Sequence, residues 1–104
     1  MDPDRLRAVL DAIPEGRWMN YADVALAAGR EPVAARMLNQ RLIREPHPNA
    51  HRVLKSNGTV APTALKDPES VRLRLEAEGV VFEDGRAPQS ARLRPGDDAP
   101  KGAA

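Results

Sequence analysis

"NYADVALAAGREPVAARMLNQRLI", residues 20–43, reads as two short helices around a tight break, and that reading decides the fold. Asn20 is a good N-cap, because its side-chain carbonyl can accept a free N–H of the first turn. Val24, Ala25 and Ala28 then share one face, and Gly29 supplies a residue suited to closing a helix. After the step Arg30-Glu31-Pro32, a further helix is predicted from about Pro32 at its first position, carrying Ala35, Leu38, Leu42 and Ile43. Two short helices about a Gly-containing turn predict a helix-turn-helix, with the later helix in the recognition position.

The flanks fit around this unit. Asp2 and Asp4 precede Leu6, Val9, Leu10 and Ile13, an amphipathic helix stopped by Pro14 and Gly16. Beyond the recognition helix, Pro46 and Pro48 forbid helix. His51-Arg52-Val53-Leu54 is expected to be a strand, turned at Asn57-Gly58 into Thr59-Val60-Ala61 as a small hairpin. Asp67-Pro68 caps and starts a fourth helix with Val71, Leu73, Leu75 and Ala77, ended by Gly79. Val80-Val81-Phe82-Glu83 and the Asp84-Gly85 turn suggest a second hairpin that could serve as a wing. The expected architecture is α+β and mainly helical: a winged helix-turn-helix DNA-binding domain with small β-hairpins over residues 1–94. A disordered tail is expected over 95–104, where Pro, Gly, Asp, Ala and Lys show no periodicity.

Composition narrows the function. With 104 residues the chain is one domain, and only Trp18, Tyr21 and Phe82 are aromatic, so aliphatic residues must fill the core. No run approaches the roughly 18 apolar residues of a membrane span, and residues 1–10 are too acidic for a signal peptide. A cytoplasmic, nucleoid-associated monomer is the expectation, with no membrane partner. The absence of cysteine excludes disulfides, thiolate metal sites and a cysteine nucleophile. The net charge of +1 hides an uneven distribution. Between positions 30 and 55, Arg30, Arg36, Arg41, Arg44, Arg52 and Lys55 face only Glu31 and Glu45, whereas positions 67–86 hold six acids against three arginines. A basic third on an otherwise acidic body suits a nucleic-acid face, although charge alone equally describes a solvated helix.

Four stretches, "IPEGRWMNYADVALAAG", "AARMLNQRL", "NAHRVLKSNGTV" and "LRLEAEGVVF", resemble in order and spacing the DNA-binding domain of O6-alkylguanine-DNA alkyltransferases. The resemblance covers about residues 6–94. Laid over the family's reactive loop "PCHRV", this chain reads Asn49, Ala50, His51, Arg52 and Val53, so Ala50 stands where the alkyl-accepting cysteine would be. A methyl group has no lone pair with which to attack an alkyl carbon. The resemblance therefore implies an alkyltransferase-like protein that is not an enzyme: it binds O6-alkylguanine in double-stranded DNA, flips it into a pocket without removing the alkyl group, and flags it for nucleotide excision repair proteins.

The resemblance also distributes roles. Arg36 aligns with the arginine finger that fills the stack when the damaged nucleotide rotates out, a task suited to a planar, permanently charged guanidinium. Ala34 and Ala35 are small enough for close approach to the groove, and docking is implied in the minor groove. Tyr21 aligns with a tyrosine that crowds the neighbouring phosphate. Asn39, where the family has glycine, and Arg41 complete the implied DNA-binding set. The implied lesion pocket comprises Ala50, His51, the backbone near Val53, Thr63 and Ala64, with Glu78. His51 and Glu78 align with the activating pair but have no thiol to activate, so a buried hydrogen bond that stiffens the pocket is expected. Arg52 is expected to tie the loop or turn to the recognition helix, and Ala50 to enlarge the site for longer alkyl groups. Each of these residues also has a plainer reading, as a surface arginine or a core tyrosine.

His47 and His51 are four apart, but Pro48 between them and the lack of a nearby acid argue against metal. No cofactor is implied, and no Gly-rich phosphate loop is present. Two rival functions remain open: a winged-helix transcription factor reading an operator sequence, and an enzyme that hydrolyses the alkyl group with His51 or a bound water.

Overall fold

The structure, a computed structural model, describes residues 3–29 and 35–94. Helix α1, Pro3–Asp11, buries Leu6 and Leu10, one turn apart, and Ile13 follows them into the core. Strand β1, Met19–Asn20, leads directly into α2, Tyr21–Ala27. The predicted cap is a full capping box: Asn20 Oδ1 accepts from Asp23 N at 2.6 Å, and Asp23 Oδ2 accepts from Asn20 N at 3.2 Å. Helix α3, Ala35–Arg44, buries Leu38 and Leu42 against α2, giving the helix-turn-helix. Its expected start near Pro32, and Ala34 with it, lie outside the described residues.

Strand β2, Val53–Leu54, departs from the expected hairpin. It pairs with β1, in parallel, with Met19 opposite Val53 and Asn20 opposite Leu54. Ala50–Arg52 before it is a 3-10 turn instead of strand. Side-chain alternation explains the choice. Met19 and Val53 enter a first cluster with Leu6, Leu10, Ile13, Val24, Leu38, Leu42 and Ala50; Trp18 and Leu54 enter a second with Ala64, Val71, Leu75, Val80 and Ala87. A strand buried on both faces belongs between two cores, whereas Thr59, Val60 and Ala61 are only half-buried. The Asn57-Gly58 turn does form, with Gly58 N donating to Lys55 O at 2.8 Å. It docks on the later chain: Gly58 O accepts from Ala87 N at 2.8 Å, and a Cβ on Gly58 would lie 2.5 Å from Ala87 O.

Helix α4, Pro68–Ala77, starts as expected with Asp67 Oδ1 accepting from Ser70 N. Its core face is Val71 and Leu75, while Leu73 is exposed. It ends in a Schellman motif through Gly79, with Val80 N donating to Leu75 O and Gly79 N to Glu76 O, both at 3.0 Å. The second hairpin is a single pair, Glu83 and Arg86 exchanging backbone bonds across Asp84 and Gly85, both at positive φ. The last described segment returns to β1, where Leu93 N donates to Trp18 O at 2.7 Å. Residues 95–104, read from sequence as a tail, lie outside the described residues. No helix among the described residues is long and apolar enough to cross a membrane.

Candidate nucleic-acid interface

Because Leu38 and Leu42 face inward, helical geometry turns Arg36, Met37, Gln40 and Arg44 outward, and all four are exposed. Among the described residues Arg36 and Arg44 make no ion pair, so both guanidiniums are available to an anion. Arg41 differs. Its side chain is 15% exposed and its Nε lies 2.7 Å from Glu45 Oε2 as an ion pair, although the N–H is not aimed at that oxygen. Ala35 is half-buried at the start of the helix.

Asn39 turns sideways. Its Nδ2 donates to Thr63 O at 2.8 Å and its Oδ1 accepts from Leu65 N at 3.0 Å. Its amide thereby holds a loop. That loop needs holding, since Leu65 at φ 50 and Lys66 at φ 60 are consecutive non-glycine residues in left-handed backbone. Such residues cost roughly 1–2 kcal/mol each unless the surroundings fix them. Thr63 at the loop's start is exposed, while Ala64 is buried in the second core.

The 50–52 turn packs against this loop. Ala50 is 4% exposed and joins the first core, so its methyl is part of the hydrophobic interior. Asn49 anchors the approach, Nδ2 donating to Leu10 O at 2.9 Å. His47 Nδ1 accepts from Asn49 N, and its Nε2 lies 2.7 Å from Asp11 Oδ1. The two histidines thus serve separate partners.

His51, 2% exposed, has Nε2 2.6 Å from Glu78 Oε2. The same carboxylate accepts from Arg52 Nη2 at 2.8 Å and Nε at 3.0 Å, and from Gly16 N at 3.2 Å. Arg52 Nη1 donates to Ile13 O at 2.6 Å. Arg52 therefore ties the turn to the ends of α4 and α1, and not to the recognition helix as expected. The charge follows from these contacts. Burial alone would raise the Glu78 carboxyl, but Arg52, His51 and the Gly16 N–H together pull it down to about 2. Burial lowers His51, outweighing the opposing pull of Glu78. An ionised carboxylate only accepts, so neutral His51 carries its proton on Nε2. Nδ1 is left as a buried acceptor with no protein partner.

Tyr21 opens α2, half-buried against the first core, and burial raises its hydroxyl pKa. Two features escaped the sequence reading. Arg92 Nε and Nη2 reach Asp23 at 2.8 and 3.0 Å, clamping the returning chain onto the α2 cap. Met37, 68% exposed, lies on the outer face of α3; its helical phase with Gln40 and Arg44 was the available signal.

The sequence matches the family described as 6-O-methylguanine DNA methyltransferase, DNA binding domain, over residues 3–80. It is 40% identical over 82 residues to the DNA base-flipping proteins of Escherichia coli (strain K12) and Shigella flexneri. Those alignments cover 76% of this chain and 62% of each relative, so the chain spans less than two thirds of their length. Its fold is similar to S. pombe Atl1 in complex with damaged DNA containing O6-carboxymethylguanine, with a TM-score of 0.66 at 27% identity. It is also similar to S. pombe ATL in complex with DNA, with 0.62 at 26%. Each comparison covers 91% of this chain and 100% of the other.

Proposed function

The chain belongs to the 6-O-methylguanine DNA methyltransferase DNA-binding domain family, in its alkyltransferase-like form, and from there we propose that it recognises O6-alkylguanine in duplex DNA and holds the lesion unaltered. The observation that carries this reading is Ala50. It occupies the "NAHRV" position matched to the family's reactive loop, in a sequence with no cysteine anywhere.

The mechanism begins at α3. Its exposed Arg36 and Arg44 meet the phosphate-lined groove, and Arg36 enters the stack as the damaged nucleotide rotates out. Tyr21 crowds the adjacent phosphate. The extruded base enters a pocket bounded by the 50–53 turn and the 63–64 loop, where backbone N–H and C=O groups read the guanine edge. The carboxylate of Glu78, holding His51, Arg52 and Gly16 together, keeps the turn rigid. Asn39 acts beside it by fixing the 63–66 loop. Ala50 puts a methyl packed in the first core where a thiol would stand, so it floors the site and offers no nucleophile to the alkyl group. Persistence of the complex on DNA would then mark the site for nucleotide excision repair. The domain responsible is residues 1–94, acting as a monomer.

Mass spectrometry of the DNA tests this reading. A duplex bearing one O6-methylguanine is incubated with excess protein, and the nucleosides are then quantified. Full recovery of O6-methylguanine, with no methylated protein and no methanol, is expected. Loss of the adduct would overturn the reading and favour hydrolysis.

A further inference from the structure

On the outer face of α3, Met37 is an exposed apolar residue among polar neighbours. Arg36 precedes it, Gln40 and Arg44 follow at one and two helical turns, and Met37 itself is 68% exposed. Leu38 and Leu42 already supply the helix's buried stripe, so Met37 contributes little to the core. A large apolar side chain amid cations suits a surface that is charged at its margins and apolar within. A nucleic-acid groove is such a surface, with phosphates at its edges and sugar faces and base stacks inside.

We infer that Met37 is a specificity-determining wedge, inserted from α3 into the groove beside Arg36, where it packs against the base step flanking the extruded nucleotide. The inference rests on the lesion-recognition reading above and adds a second inserted residue. The chemistry is suited to the place. A thioether has no strong donor or acceptor to desolvate, bends at three rotatable bonds, and is polarizable enough to lie against a base face. Apolar side chains inserted at base steps unstack them and favour bending, which lowers the cost of rotating a nucleotide out. Arg36 and Met37 are consecutive, about 1.5 Å apart in rise and about 100° apart in direction, so both can reach one distorted site from one helix.

The wedge makes an apolar contribution, and this separates it from its neighbours experimentally. Affinity is measured by anisotropy of labelled duplexes carrying guanine or O6-methylguanine, across a salt series. A 2-aminopurine beside the lesion reports unstacking. Met37→Ala is expected to bind the lesion duplex about tenfold more weakly. Its dependence on salt should stay unchanged, because no phosphate contact is lost, and the rise in 2-aminopurine fluorescence should shrink. Met37→Leu should restore both. Arg44→Ala should instead flatten the dependence of log K on log salt by about 0.9. Met37→Ala within twofold of the parent protein, or an altered salt slope for that variant, would overturn the wedge. Failure of the underlying reading looks different: the parent protein would bind both duplexes equally, while the contrast between Met37→Ala and Met37→Leu would still be readable on each.

Discussion

Glu78 carries more of the site than its position at the end of a helix suggests. One carboxylate satisfies a histidine, an arginine and a backbone N–H from two other segments of the chain. Replacing it removes the one carboxylate that, among the described residues, contacts both His51 and Arg52. Glu78→Ala is expected to destabilise the fold by about 3 kcal/mol in urea unfolding, since Arg52 would be left buried with no counter-charge and the His51 Nε2–H with no acceptor. Acid should act through the same residues. Burial holds His51 below its ordinary 6.5, so below that pH the unfolded chain takes up a proton that the folded chain resists, and stability falls. Glu78, lowered from 4.5 to about 2, adds a second loss as pH drops through that interval. Thermal unfolding from pH 7.5 to 3 should show a Tm that declines below about 6.5 and more steeply below 4.5. A Tm constant over that range would contradict the network. The His51–Glu78 pairing was legible in sequence because both residues sit in recognisable motifs. The partners of Arg52 were not, because a guanidinium can reach several acceptors and only the folded chain selects among them.

At the scale of elements, local signals read well and non-local ones did not. Asn20, Asp67 and Gly79 announce helix ends through short-range chemistry, and each cap forms. The parallel pairing of β1 with β2 has no such signal. Turn residues at Asn57-Gly58 argued for a local hairpin, but burying Val53 and Leu54 between two cores outweighed them. Asn39 shows the same limit, since no local signal announces that its amide also holds the loop beside it. Its hydrogen bonds to Thr63 and Leu65 restrain Leu65 and Lys66 in left-handed backbone. Asn39→Ala is therefore expected to cost about 1–2 kcal/mol in chemical denaturation. It should weaken binding to the lesion duplex more than to undamaged duplex, because the loop borders the proposed pocket and not the proposed phosphate track. Equal weakening on both duplexes, measured by anisotropy, would place Asn39 in general DNA contact instead.

Across the whole molecule, the uneven charge seen along the sequence becomes a spatial arrangement. Arg36 and Arg44, which make no ion pair among the described residues, lie on the outer face of α3, while the acid-rich 67–86 stretch forms α4 and the turns after it, packed behind the 50–52 and 64–66 turns. Binding should accordingly fall steeply with salt even though the net charge is only +1. The family was legible because four motifs keep their order through one compact unit, and the fold places α3, the "NAHRV" turn and the 63–66 loop side by side. The central claim is that this unit senses a lesion and does not read a sequence. Trp18 is fully buried and donates to Pro88 O, so labelled DNA is the better reporter of binding. The decisive measurement is the ratio of dissociation constants for two duplexes identical except for guanine or O6-methylguanine at one position, at fixed salt. The account predicts binding at least tenfold tighter to the lesion duplex, whatever the flanking sequence; equal constants, or a preference that follows the flanking sequence, would contradict it.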